Sequence, residues 1–295
     1  MKLKIGTRKS VLALWQAELV QAQLQEIGTE AELVKIESFG DQVQDIPLHK
    51  LGDKGVFTKA LDDALLSGNI DVGVHSLKDV PTILEPGLAL AAVLKRANPH
   101  DVLVKPLSEK STPSHRIVAT GSIRRGAFWK NKYPDDEVVN LRGNVPTRIK
   151  KVDSNEWYGA VFAYAGLERI NFDNRISEVL DWMIPAPSQG AIGLVVRSED
   201  VNNEVYQQLQ HAPTRTCVDI ERAFLSELDA GCSSPVGAYA HIEDDMLYFS
   251  GAVLSVDGSN RVDITQEIKV KDASSSTGTH WAKEIKNLGA SKLLV

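Results

Sequence analysis

Val118-Ala119-Thr120-Gly121-Ser122-Ile123-Arg124-Arg125 is followed, after a helix-like run, by Val138-Val139-Asn140-Leu141-Arg142-Gly143-Asn144-Val145-Pro146-Thr147-Arg148. Each stretch is a short apolar run that reads as a buried strand, and each breaks into a Gly/Ser/Asn turn that opens a helix. Two strands of that kind in one sheet deliver Arg124, Arg125, Arg142 and Arg148 to the carboxyl ends of the strands. Open α/β sheets bind their ligands at that edge. Guanidinium forks match carboxylates and phosphates and stay charged at any working pH. The helix N-termini add aligned N–H donors and positive dipole ends. The pattern predicts a site for a ligand with several negative charges.

The rest of the chain fits an α/β body around that site. Lys2 to Ile5 reads as a strand, Ser10 as an N-cap, and Leu12, Trp15, Leu19 and Ala22 as a helical stripe ended by Gly28, before a strand over Ala31 to Ser38. Arg8 then lies on a strand-to-helix turn like those of the central arginines. Residues 39–55 show no period and carry Lys50 and Lys54. Val56 to Ser67 reads as a helix, and Ile70 to His75 as a strand running into Ser76-Leu77-Lys78-Asp79-Val80-Pro81. Pro81 disfavours helix at Val80, which holds Asp79 on an extended turn. His75 reads as a structural hydrogen-bonder. Strands are predicted over Leu88 to Leu94, Val102 to Val104, Arg116 to Thr120 and Trp157 to Ala163. Arg169 falls near the start of a helical stretch, where position alone reads it as a solvated helix arginine. A strand over Ala191 to Arg197 returns to the first domain and makes a two-crossover hinge. From Thr214 the character changes to a helix over Val218 to Leu228, antiparallel strands within Ala238 to Val270, and a last helix within Ala273 to Leu288. That is a small α+β domain.

Bulk properties narrow the partners. A chain of 295 residues needs two or three domains. The net charge of −6 sets the arginine cluster against an acidic background. A duplex-coating protein is more often basic across a whole domain, and no aromatic–basic interleaving suggests single-strand binding. No apolar run has signal-peptide or membrane-span length, and two cysteines, Cys217 and Cys232, make no disulfide framework. The expectation is a cytoplasmic protein with no membrane or nucleic-acid partner. Walker, dinucleotide, H-E-x-x-H and C-x-x-C signatures are missing, so no metal or nucleotide site is expected. Cys232, in the loop Gly231-Cys232-Ser233-Ser234-Pro235, reads as exposed and open to thiolate chemistry. Cys217 reads as structural. A non-catalytic clamshell binding protein is the main rival; it needs the anion cleft but neither Cys232 nor a cytoplasmic address.

Taken together, Gly6 to Gln16, Gly52 to Gly55, Val74 to Pro81, Gly121 to Arg125, Leu141 to Arg148, Ala165 to Arg169, Pro185 to Gly190 and Gly231 to Gly237 resemble the motifs of the porphobilinogen deaminase (hydroxymethylbilane synthase) family over essentially the whole chain. The resemblance implies two α/β domains of the type 2 periplasmic-binding kind with crossing hinge strands, plus the small α+β domain. The boundaries are 1–96 with 192–213, 97–191, and 214–295. It implies a monomer that joins four porphobilinogen units head to tail on a dipyrromethane primer, releasing ammonia at each step and finally freeing hydroxymethylbilane. The primer is implied to hang by a thioether from Cys232. Asp79 matches the catalytic aspartate, which stabilises the cation left when ammonia departs. Lys54, Ser76, Lys78, Asp79, Thr120, Ser122, Arg124, Arg125, Arg142 and Gly143 are implied to bind the cofactor. Arg8, Ser10, Arg142, Arg148, Arg169 and Gln189 are implied to bind substrate, with weaker support for Lys50. Val11, Gly121, Ile123 and Val195 depart from the commonest family pattern without removing a catalytic group.

Overall fold

A computed structural model of the chain describes residues 2–37, 58–108, 116–231 and 234–294. These fall into two compact units. Of the described residues, the first draws on 2–37, 58–97 and 190–215, and the second on 98–108, 116–189, 216–231 and 234–294.

The first unit is one five-stranded sheet with helices against it. Its strands are β1 (Leu3–Arg8), β2 (Ala31–Ile36), β3 (Val72–Ser76), β4 (Leu88–Val93) and β10 (Ile192–Arg197), in the order β2-β1-β3-β10-β4. β1 runs parallel to β2 and β3, whereas β10 is antiparallel to both of its neighbours. The chain thus leaves this sheet after β4 and comes back through β10, the return strand expected from the sequence. Helix α1 (Val11–Glu26) begins where the Ser10 side chain accepts from the Ala13 N–H and stops before Gly28, whose φ of +80° suits glycine. Its buried stripe is Gln16, Ala17, Val20 and Leu24. Leu12, Trp15 and Leu19 flank that stripe, and Ala22 is exposed. The inner face is turned away from the stripe that the apolar spacing predicts because Gln16, a polar residue, occupies it. Helices α2 (Lys59–Leu66) and α6 (Glu204–Leu209) belong to the same unit.

The second unit holds two sheets. The larger consists of β5 (Asp101–Val104), β6 (Ile117–Ala119), β7 (Glu137–Val139), β8 (Gly159–Ala163) and β9 (Glu178–Leu180), in the order β7-β6-β8-β5-β9. β6 is parallel to β7 and β8, and β5 is antiparallel to β8 and β9. It repeats the plan of the first sheet, with β5 in the place of β10. Helices α3 (Ile123–Lys132), α4 (Val145–Ser154) and α5 (Tyr164–Glu168) follow β6, β7 and β8. The smaller sheet is antiparallel, β11 (Val236–Glu243), β12 (Met246–Leu254) and β13 (Arg261–Lys269). It packs on α7 (Ala212–Glu227) and α8 (Ser275–Asn287) through Ile220, Phe224, Phe249, Trp281 and Ile285. Gly278 lets the two helices meet, since a Cβ there would lie 2.1 Å from the Ile220 carbonyl oxygen. Cys217 is 5% exposed in this core, as its structural reading required.

This is the α/β pair of sheets with a small α+β layer that the sequence led us to expect. Three details differ. α7 starts at Ala212 rather than Val218, because Pro213 is tolerated in a first helical turn. β9, only three residues long among polar neighbours, left no pattern to read. Arg169 is the C-cap of the five-residue α5 rather than part of its start, and it is 7% exposed rather than solvated. Among the described residues no helix is long and apolar enough to cross a membrane.

Candidate functional site

In the first unit, β1 and β3 are adjacent and parallel, so their carboxyl ends share one edge. Arg8 ends β1. Ser76 ends β3, and a single 3-10 turn, Leu77–Asp79, follows it. Val80 is extended before Pro81, as expected, while the turn itself is tighter than the extended one the sequence suggested. Leu77 donates its N–H to the Ala191 carbonyl, and Val80 donates back to Leu77, which fixes the turn. Arg8, Ser10, Gln16, Thr58, His75, Ser76 and Asp79 line one pocket. The Gln16 amide donates to the Ser76 hydroxyl at 2.8 Å, and Thr7 pins the start of α1 by donating to the Ala13 carbonyl at 2.9 Å. Asp79 is exposed and Ser76 half-buried.

His75 is 6% exposed in the wall of this pocket. Burial, and then the charge of Arg8, push its pKa down to about 4, so its ring is neutral at physiological pH. Its Nε2 has no hydrogen-bond partner, so the structural role expected for it is not exercised through that nitrogen.

The second unit carries the arginine turns. Because β6 and β7 are parallel neighbours, the turns that follow them lie side by side. Gly121 is the point of contact: a Cβ there would sit 2.5 Å from the Leu141 carbonyl oxygen. The Thr120 hydroxyl accepts from the Ser122 N–H at 3.2 Å, and the Ser122 hydroxyl caps α3 by accepting from the Arg125 N–H. On the neighbouring turn, Asn144 caps α4 by accepting from Thr147, Pro146 stands in the first turn, and Gly143 has φ of +113°. Arg148 Nε donates to the Gly143 carbonyl at 2.7 Å, which draws that arginine back over its own turn.

Arg124 and Arg125 are 4% and 6% exposed, and the group that faces them comes from a distant segment of the chain. It is Asp101, fully buried at the start of β5. Arg124 Nη2 donates to one carboxylate oxygen at 2.7 Å, and Arg125 Nε donates to the other at 2.8 Å. Burial raises the pKa of Asp101, but Arg124, Arg125 and the Gln189 amide overcome it and hold the carboxyl at about 2. Gln189 is 1% exposed, and its amide donates to Pro99 and Asp101. It sits between Ser188 and Gly190, both at positive φ.

Burial lowers the pKa of both Arg124 and Arg142, with Asp101 opposing it at Arg124. Burial brings Arg169 down to about 10, against the charge of Glu168. Despite that desolvation, the Nε atoms of Arg124 and Arg142 are buried without a hydrogen-bond partner. Buried donors are almost always satisfied, and these two stand open on touching turns. The structure therefore groups Arg8, Ser10, Ser76 and Asp79 in the first unit. In the second it groups Thr120, Ser122, Arg124, Arg125, Arg142, Gly143 and Arg148. Lys78 is half-buried on the turn that carries Asp79. Lys50, Lys54 and Cys232 lie outside the described residues.

Comparison with known proteins finds two family models on this chain. "Porphobilinogen deaminase, dipyromethane cofactor binding domain" matches residues 3–205, and "Porphobilinogen deaminase, C-terminal domain" matches residues 215–287. Among curated relatives, porphobilinogen deaminase of Syntrophotalea carbinolica is 41% identical over 99% of this chain and 95% of its own length. That of Pelotomaculum thermopropionicum is 42% identical over 99% and 96%. Among solved structures, the methionine binding protein MetQ aligns with a TM-score of 0.43 at 14% identity, covering 70% of this chain and 88% of that one.

Proposed function

The chain belongs to the porphobilinogen deaminase family, enzymes that polymerise porphobilinogen in tetrapyrrole synthesis on a dipyrromethane cofactor, and from that premise we propose which of its residues carry the reaction. The supporting observation is the pair of buried, unpartnered Nε donors on Arg124 and Arg142. Such donors fit a ligand built from rings that each bear carboxylates, and they fit a neutral ligand poorly. When bound, the dipyrromethane supplies the primer end to which each new pyrrole is joined.

In this reading Arg124, Arg125 and Arg142 bind the carboxylates of the primer, with Thr120, Ser122 and Gly143 shaping the turns. Ser76, Lys78 and Lys54 add hydroxyl and ammonium donors, and Cys232 carries the thioether. Arg8, Ser10, Arg148 and Arg169 bind the carboxylates of incoming porphobilinogen. Gln189, which the family resemblance implies binds substrate, is 1% exposed and in this reading acts through Asp101 and Arg125, which its amide contacts. Asp79 supplies the negative charge against which positive charge develops on porphobilinogen as ammonia leaves. A carboxylate fixed at that point stabilises the developing charge without reorganising. His75, neutral, adds no second cation to the pocket wall.

Three further readings belong with this one. The domains are 1–96 with 192–213, 97–191, and 214–295. The protein is a monomer without nucleic-acid or membrane partners. It works in the cytoplasm, where the Cys232 thiol is reduced before loading.

Intact-mass measurement tests the anchor. The purified protein is expected to carry an excess matching two linked pyrrole rings, and Cys232→Ser is expected to carry none. If the wild type remains unmodified after it has been supplied with porphobilinogen and shown to be active, the assignment of Cys232 is wrong.

A further inference from the structure

Asp101 is not among the residues assigned above to primer or substrate. β5 runs antiparallel to β8, with Asp101 opposite Ala163, so its first residue lies at the carboxyl end of β8. Asp101 therefore stands on the edge where the arginine turns emerge, yet it is wholly buried. It answers a specific difficulty. Arg124 and Arg125 are consecutive, both buried and both cationic, and two such groups repel unless an anion lies between them. Each carboxylate oxygen takes one of them, and Gln189 donates to the Arg125 side at 3.0 Å. Backbone carbonyls complete the frame. Arg124 Nη1 donates to Ile184 at 2.7 Å, and Arg125 Nη1 to Val161 at 3.2 Å. Within this frame Arg125 is engaged at all three nitrogens, whereas Arg124 keeps Nε free.

We propose that Asp101 is a positioning residue: by gripping Arg124 and Arg125 from one side it fixes the pose in which they meet a carboxylate of the bound pyrrole chain. It also halves their combined charge, so the turn presents a net single positive charge to that carboxylate. The proposal rests on the reading that these arginines hold the primer. The frame is assembled from residues 101, 124, 125, 161, 184 and 189, five separate segments of the chain, and a shift in any one turns the guanidinium planes.

Asp101→Asn is the informative change. It keeps the shape, but its amide N–H2 must face one of the two guanidinium donors. Four proteins are purified from cells that supply porphobilinogen, and each is weighed intact: wild type, Asp101→Asn, Arg124→Gln and Leu103→Ala. Leu103 is buried on the same strand, and its truncation destabilises the sheet without touching the frame. The fraction carrying the pyrrole mass should fall about tenfold in Asp101→Asn, the size of effect expected when a hydrogen bond to a charged group is lost. Leu103→Ala, once shown by circular dichroism to be folded, should load as the wild type does. Wild-type loading in Asp101→Asn overturns the proposal, as does an equal fall in Leu103→Ala. If Arg124→Gln loads normally, the reading that Arg124 holds the primer fails and the proposal falls with it. Loss of loading in Arg124→Gln together with normal loading in Asp101→Asn rejects the positioning role alone. Should Asp101→Asn not fold, Gln189→Leu replaces it, since it removes one donor from the same carboxylate and one acceptor from Arg125 while leaving the ion pair. Lowered loading in that variant supports the proposal, and unchanged loading overturns it.

Discussion

Asp79 and Asp101 stand at equivalent edges of two sheets built on one plan, yet they are treated in opposite ways. Asp79 follows β3 on a one-turn helix and is exposed in a pocket that it shares with Arg8 and Ser10. Asp101 opens β5 at zero exposure, with two guanidiniums and an amide on its oxygens. The first carboxylate leaves its charge available to whatever enters the pocket. The second directs its charge at neighbours that must themselves be available. A shared topology therefore fixes where charges gather, while burial decides whether a charge acts on the ligand or on the residues that bind it.

The strongest way to break this comparison is to remove both carboxylates in turn and measure stability. Asp101→Ala leaves two buried guanidiniums without their anion and should cost about 3–5 kcal/mol in urea unfolding. Asp79→Ala, at an exposed position, should stay within about 0.5 kcal/mol of the wild type. Equal costs would mean that burial does not separate the two roles.

Activity should order them the other way. Asp79→Asn is expected to lower kcat by about 10²–10³ with the unfolding midpoint unchanged, since what it loses is stabilisation of charge that develops only during reaction. Near-normal turnover in that variant would remove Asp79 from the chemistry.

Acid sharpens the contrast through its sign. His75 has a pKa of about 4 in the folded first unit, against 6.5 unperturbed. Between those values the unfolded chain binds a proton that the fold excludes, so this contribution is complete above pH 6.5 and is lost as pH falls toward 4. Asp101 is held at about 2 against 3.8, so its contribution is complete above pH 3.8 and is lost as pH falls toward 2. Urea midpoints taken stepwise in pH should decline in both windows. His75→Phe should flatten the upper one and leave the lower. An unchanged slope between pH 6.5 and 4 in His75→Phe would show that the ring is not held neutral by the fold.

What could be read from the sequence follows from how local each signal is. Ser10, Gly28 and the turns around Ser122 and Asn144 act on neighbours three or four residues away, so caps and stops were visible, and with them the strands they bracket. The arginine turns were visible for the same reason, and β10 could be placed because a run as apolar as Ile192 to Val196 must be covered on both faces. Asp101 was not visible. It stands beside an apolar run like an ordinary boundary residue, and its partners at 124, 125 and 189 come from distant segments. An acid opening a strand just before two consecutive arginines appear in the same sheet was the available sign. Gln16 escapes notice for a similar reason, since what holds it buried is Ser76, sixty residues away on β3. The sequence pointed to four arginines as a set. It could not show that Arg124 and Arg125 arrive already paired while Arg142 does not.

The smallest expected effect tests whether the first pocket is held by local geometry alone. Ser10 was expected both to cap α1 and to bind substrate, and its hydroxyl does accept from the Ala13 N–H at 3.3 Å. Ser10→Ala should cost about 1 kcal/mol, the usual loss at an N-cap, because it leaves one first-turn N–H without its acceptor. Ser10→Asn supplies an alternative capping oxygen and should recover most of that stability. If KM for porphobilinogen stays raised in the Asn variant after stability has returned, the hydroxyl also meets substrate. If KM returns together with stability, Ser10 serves the pocket only by fixing where α1 begins. The latter outcome would make the pocket of the first unit, like the arginine turns of the second, dependent on a residue whose bonds all point back into the protein.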